Sequence, residues 1–177
     1  MKRIAFVLFI LLITKVLSAQ YKPIDQGSEV KFTIGNFGFD VTGSFSGLLG
    51  SISFDPQNVT KSSFDITIDA NSVNTDNTMR DNHLRGESYF DVKNYPRIHM
   101  VSTKVGGPNK NGSYIFIGQL TIKGKSKEVL IPFTATATSD GYVFKGTFKI
   151  YRKDFDIGGS STISDELEVS LKIMANK

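Results

Sequence analysis

NSVNTDNTMRDNHLRGESYFDVKNYP, residues 71–96, is the one long stretch of this 177-residue chain that does not read as a strand. It sets Arg80, Asp81, His83, Leu84 and Arg85 ahead of Tyr89 and Phe90. Asp76 or Thr75 can cap a helix of two to three turns that runs through Leu84 and stops at Gly86. On such a helix Met79, His83 and Leu84 share one side. Tyr89-Phe90-Asp91-Val92 reads as a further short turn before Tyr95-Pro96. One charged, partly helical insert in an otherwise strand-like chain predicts a closed sheet with the insert at one end.

Outward from the insert the chain alternates. Just before it, Phe64, Ile66, Ile68 and Ala70 face one way while Asp65, Thr67 and Asp69 face the other, the period-two signature of a half-buried strand. Val30, Phe32 and Ile34 repeat the pattern, as do Phe39, Val41, Gly43 and Phe45, and residues 48–54 form a third strand stopped by Asp55-Pro56. Gly43 and Gly47 flank Ser44-Phe45-Ser46, which predicts a kink of the kind found at barrel corners. After the insert, strands follow over residues 97–105, 114–122, 127–138 and 142–150, with tight turns at 106–112, 123–125 and 139–141. A looser segment, 152–164, precedes a last strand in which Leu167, Val169, Leu171 and Ile173 alternate. These eight or nine strands carry no linker between them and make one domain, residues 20–177. A flat sheet of this size leaves an apolar face and two edges exposed. Closing about eight strands into a barrel removes both defects, although a two-sheet sandwich has the same periodicity.

The first residues read differently. Met1-Lys2-Arg3, an apolar run from Ile4 to Ile13 and the small residues Ser18-Ala19 describe a secretory signal peptide, residues 1–19, cleaved near Ala19. The run is too short for stable membrane insertion, which needs about 20 apolar residues. Removing it takes Lys2, Arg3 and Lys15 from the 21 basic residues and leaves 18 against 17 acidic ones, so the net charge falls from +4 to +1. The basic balance therefore points to no nucleic-acid partner. A periplasmic or secreted protein with no cysteine must hold together by its core, and fourteen Phe and six Tyr supply the bulk.

Chemical motifs are sparse. The two histidines, His83 and His99, have no cysteine to join them, and no acidic cluster has the spacing of a metal site, so neither metal nor cofactor is expected. Gly118 to Ser126 imitates a phosphate loop but spaces its glycines by five residues where that motif needs four, with a hairpin in place of the helix. Gly43-Ser44-Phe45-Ser46-Gly47 has Phe where a nucleophile elbow has Ser. Asp154 and Asp156 lie beside Arg152 and read as a salt-bridged loop. No catalytic residue is assigned.

In order and spacing, several motifs resemble the YceI-like family of lipid- or polyisoprenoid-binding proteins, over Tyr21 to Lys177. They are Ile24-Asp25 with Ser28, Phe32-x-Ile34, Gly43-Ser44-Phe45 and Ile52-x-Phe54-Asp55. The most specific are Ile68-Asp69-Ala70-x-Ser72-Val73-x-Thr75, Arg80-Asp81-x-His83-Leu84, Tyr89-Phe90-Asp91-Val92 and Tyr95-Pro96. Gly118-x-Leu120-Thr121-Ile122-x-Gly124, Arg152-x-Asp154-Phe155 and Asp165-Glu166-x-x-Val169 follow. Tyr21 stands where the family usually has Trp, Gly27 where it has His, and Met100 where it often has Phe. The resemblance implies an all-β, eight-stranded antiparallel lipocalin-like barrel with the short helical insert capping one end. It also implies an exported protein that holds a long-chain lipid or isoprenoid in an internal pore, as carrier, storage or sequestration protein. A packed interaction module and a periplasmic enzyme using the same cavity are the alternatives.

By alternation, the wall residues expected to line that pore are Phe32, Ile34, Val41, Phe45, Ile52, Phe64, Ile66 and Ile68. Met100, Phe116, Leu120, Phe133, Phe144 and Phe148 continue them on the later strands, and Met79, Leu84 and Phe90 of the insert would close one end. Arg80, His83 and Arg85 are candidates for a polar head group; Arg80 could equally pair with Asp76 or Asp81. The sequence leaves a homodimer open.

Overall fold

The computed structural model describes residues 20–159 and 162–177; the expected export signal and residues 160–161 of the loose segment lie outside them. The strands are β1 (Gln20–Asn36), β2 (Phe39–Phe45), β3 (Leu49–Ser53), β4 (Ser63–Asp69), β5 (Arg97–Gly106), β6 (Tyr114–Ile122), β7 (Lys125–Ala137), β8 (Gly141–Tyr151) and β9 (Ile163–Asn176), with one helix, α1 (Thr78–Arg85). All pair antiparallel in a single sheet, and β1 pairs with β9 to close it, from Lys22↔Asn176 to Asn36↔Ile163.

The nine strands make eight staves. β2 pairs with the later half of β1 (Val30↔Phe45) and β3 with its start (Tyr21↔Ile52), on the edge opposite β9. β2 and β3 are therefore two halves of one return strand, broken at residues 46–48, where the glycine spacing predicts a kink. The break leaves backbone groups without ladder partners, and each needs a substitute. Ser46 N–H donates to Ser72 Oγ (2.8 Å), while Gly47 and Leu48 N–H donate to the two carboxylate oxygens of Asp25 (3.1 and 2.9 Å). Arg97 Nη2 donates to Gly47 O at 2.7 Å. Asp25, Ser72 and Arg97 thus close a gap that the ladder cannot.

β1 begins at Gln20, well before the alternating Val30, Phe32 and Ile34, because a bulge joins its two halves. Between Ile24↔Met174 and Glu29↔Lys172 the register slips, and Gly27 sits there at φ 78°. Ser28 Oγ donates to Ile24 O at 2.5 Å and accepts from Met174 N–H at 2.8 Å, which pins the bulge to β9. Gly50 makes a different demand: its φ is 132°, and a Cβ there would lie 2.0 Å from Asp65 O on β4. Gly50→Ala should therefore cost more than ~1 kcal/mol and lower the thermal midpoint by at least about 2–4 °C, as read by circular dichroism.

The barrel has two unlike ends. At the first, Phe54 projects from the end of β3 with 2% of its surface exposed, and rings close round it. Tyr142, Tyr114 and Phe144 lie 5.1, 5.2 and 5.3 Å away edge-on. Phe64 joins by meeting Phe144 and Phe133 at 5.3 and 5.5 Å. Edge-to-face contacts of this kind hold more firmly than area alone implies, and they plug this end. Burial, with Tyr21, Tyr114 and Asp55 nearby, lifts the Tyr142 hydroxyl above the ordinary tyrosine range. The neutral phenol is thus favoured in the fold, so its contribution is present below about pH 10 and fades as the pH climbs through the raised value. Tyr142→Phe should flatten the fall in thermal midpoint between about pH 9 and 11.

At the second end sit the β1–β2 turn, the β6–β7 turn, residues 152–159 and the insert. α1 starts later than expected. Asn77, not Asp76 or Thr75, is its N-cap, with Oδ1 accepting from Arg80 N–H at 3.0 Å. Thr75 is already engaged, since its N–H and hydroxyl both donate to the buried Asp81 Oδ1 (2.9 and 2.6 Å). Asp76 occupies the left-handed region at φ 56°. The helix ends before Gly86, as the sequence indicates, and turns follow over residues 87–90.

Candidate ligand cavity

Between the plug and the insert the barrel is hollow, with a cavity of about 510 Å³. Small-molecule sites span roughly 300–1,000 Å³. Its wall is built from inward rows, chiefly Val30, Phe32 and Ile34 of β1, Ile66 and Ile68 of β4, Leu120 and Ile122 of β6, Phe148 and Ile150 of β8, and Leu167, Val169, Leu171 and Ile173 of β9. Ile66, Met100, Leu171 and Ile173 form the floor, because they also border a void of about 40 Å³ on the plug side.

The insert does more than cover the end. β2 has no neighbour on its far edge where β4 stops short, and residues 70–75 fill that seam. Ser44 and Asn74 exchange backbone hydrogen bonds at 2.8 and 3.0 Å, and Asp69 N–H donates to Ser46 O at 3.0 Å. α1 then crosses the mouth. Met79, His83 and Leu84 border the cavity, followed by Tyr89 and Phe90, and Phe90 packs edge-on against Phe45 at 5.3 Å.

Most polar lining groups collect towards this mouth, namely Asn36, Thr75, Asn77, Arg80, His83 and Arg152, while Lys31 and Thr67 stand on the wall strands. Arg80 is fixed by Thr75 rather than by Asp76 or Asp81, donating from Nε to Oγ1 (2.7 Å) and from Nη2 to the carbonyl (2.8 Å). Arg152, 4% exposed, donates to the carbonyls of Ile157 (2.8 Å) and Ser164 (2.9 Å) and so shapes the β8–β9 connection. Asn36 Oδ1 is buried with no hydrogen-bond partner among the described residues.

Of the residues picked by alternation, Phe32, Ile34, Val41, Phe45, Ile66, Ile68, Met100, Leu120 and Phe148 border the cavity, as do Met79, Leu84 and Phe90. Ile52, Phe64, Phe116, Phe133 and Phe144 do not; they border the smaller void within the plug. They point inward as expected but lie below the floor, where ring packing leaves no room for a ligand. Arg85 is also displaced from the site. It donates to Asn71 O and Val73 O at 2.8 and 2.9 Å, because the seam segment's carbonyls face outward and need donors. Alternation had already exposed the β9 row, Leu167 to Ile173, but gave no reason to rank it as lining. Asn36 and Asn77 carry no sequence signal beyond their turn and cap positions.

The histidine and acidic pairs lie elsewhere. His99 Nε2 meets Asp65 Oδ1 at 2.8 Å on the outer wall, and Asp154 and Asp156 face Lys127 and Lys125 at 3.4 and 3.1 Å. Among the described residues no three His, Cys, Asp or Glu side chains gather where they could hold a metal, and no helix is long and apolar enough to cross a membrane.

A YceI-like domain model matches residues 21–175. The chain belongs to the YceI-like family. A UPF0312 protein of Yersinia pestis (strain Pestoides F) is 32% identical to this YceI-like chain over 170 residues, covering 89% of this chain and 86% of the relative. One of Photorhabdus laumondii is 32% identical over 157 residues, 86% of this chain and 77% of its own length. Among solved structures, Burkholderia cenocepacia BcnA superposes with a TM-score of 0.79 at 27% identity, over 86% of this chain and 98% of that one. The Campylobacter jejuni YCEI protein gives 0.68 at 30% identity, over 76% and 84%. A polyisoprenoid binding domain from Saccharophagus degradans shares the fold, with a TM-score of 0.67 at 14% identity over 88% of this chain and 97% of that one.

The motif residues of this YceI-like chain now have physical roles. Asp25, Ser28 and Ser72 secure the bulge and the broken stave, Thr75 and Asp81 brace the helix start, and Asp91 holds Asn94 Nδ2 at 2.9 Å below the mouth.

Proposed function

We propose that this protein binds a long-chain amphiphile, tail inward, in the barrel cavity: a polyisoprenoid, an isoprenoid quinone or a similar lipid. The supporting observation is a dead-ended apolar cavity of about 510 Å³ most of whose polar groups collect at its mouth. That polarity gradient is the shape of an amphiphile. The shared fold of the Saccharophagus degradans polyisoprenoid binding domain agrees with this reading.

Magnitudes favour a long tail. Ten buried methylenes contribute about 8 kcal/mol, which the ~4–15 kcal/mol of lost freedom on binding can cancel. A tail of twice that length leaves a surplus. Arg80, held rigid by Thr75, and His83 are placed to meet the head group, and the orphaned Oδ1 of Asn36 would accept a hydrogen bond from a hydroxyl or amide there. A hollow core weighs against the packed interaction module, and a wall without a convergent set of polar groups favours holding a lipid over converting one. Export follows from residues 1–19, with cleavage near Ala19 and a carrier, storage or sequestration role in the periplasm or outside the cell.

Native mass spectrometry of the purified protein should show a co-purifying lipid, or uptake of added polyprenyl or quinone-type lipid. Protein that stays lipid-free after incubation with both would overturn the proposal.

A further inference from the structure

Three of the most exposed large apolar side chains in the described structure stand at one place, the cavity mouth. Phe37 and Phe39, 72% and 79% exposed, form the tip of the β1–β2 hairpin, and Met79, 82% exposed, is on the first turn of α1. Phe39 continues the row of Val41 and Phe45, so it carries the cavity's apolar wall past the rim. The Ser44–Asn74 bridge ties β2 to the insert, five residues from Phe39 on one and five from Met79 on the other.

The turn itself is built against local preference. Phe37 and Gly38 are its two central residues, both at positive φ (52° and 83°). This is the geometry that Asn-Gly favours and that a bulky residue rarely adopts. A large aromatic both strained and open to water calls for an occupant. The charges at this end are mixed, with Asp40, Asp76, Asp154 and Asp156 beside Arg80, Lys123 and Lys153, and they favour neither sign of lipid head group.

Resting on the lipid-binding reading, we propose that this rim docks on the surface of a lipid bilayer, zwitterionic lipid sufficing, with Phe37, Phe39 and Met79 inserted among the acyl chains. The cavity mouth then opens directly onto the membrane, so that a tail passes between the two without crossing water. An amphipathic rim buried in the interface binds in proportion to its apolar area.

The chain has no tryptophan, so Phe39→Trp gives a single tryptophan that can be excited apart from the six tyrosines. With phosphatidylcholine vesicles its emission should shift to the blue and be quenched by brominated acyl chains. Leu130→Trp, on the outer wall and 58% exposed, should be unmoved. Phe37→Asn combined with Phe39→Ser should weaken vesicle co-sedimentation by about tenfold or more, while the relaxed turn keeps or raises the thermal midpoint. The same variant should retain its lipid by native mass spectrometry, which separates docking from holding. An unmoved Phe39→Trp spectrum in a lipid-loaded protein would overturn the docking and leave the cavity reading standing. So would a blue shift that needs no vesicles and grows with protein concentration, which would assign the rim to a second copy of the chain.

Discussion

Phe64→Asp should unfold this barrel rather than empty it. Phe64 points inward on β4, yet it is 5% exposed and packed against Phe116, Phe133 and Phe144 below the cavity floor. Losing a ring in such a site costs about 3–5 kcal/mol. A carboxylate left there without a partner adds a desolvation penalty, and the sum approaches the ~5–15 kcal/mol that holds a domain together. The expected result is loss of the near-ultraviolet circular dichroism of the aromatic cluster and of cooperative melting. Phe64→Leu should melt cooperatively at a lower temperature and keep its lipid, since the residue lies outside the cavity. A folded, lipid-free Phe64→Asp protein would show that the plug is part of the binding site.

Val169→Trp should do the opposite. Val169 faces the cavity from β9, opposite Phe32 on β1 and Phe148 on β8. The space in front of it is the cavity of about 510 Å³, so an indole can enter without the overpacking that costs ~1–3 kcal/mol in a filled core. Lipid uptake should fall by at least about tenfold, while the thermal midpoint stays within a few degrees of the parent. Retained uptake would place the ligand elsewhere.

The contrast between these two residues marks the limit of what the sequence discloses. Period-two alternation tells in from out, which is why the staves, the kink near Gly47 and the mouth-facing side of α1 are legible. It does not tell depth. Phe64, Ile66 and Ile68 occupy one row, but the first belongs to the plug, the second to the floor and the third to the cavity. Depth is set by the pairing Ile52↔Phe64 and by Phe54, a residue just past the end of its strand that fills the barrel end. Arg85 is one residue from Leu84, and the hundred-degree step between them turns it from the mouth to the seam. The bulge at Gly27 and the capping of Gly47 and Leu48 by Asp25 depend on partners distant in the chain, which local pattern cannot reveal.

The closure of β1 on β9 bears on how the protein is made. Lys22 pairs with Asn176, so the first stave has no partner along one edge until the last has been synthesised. Contacts between chain ends are the slowest to form, and barrels rich in them fold in milliseconds to seconds. No N-terminal fragment can close early, and the polypeptide remains threadable until it is complete. Under the proposed export, such late closure would keep the chain open to threading, and the strand order alone supplies it.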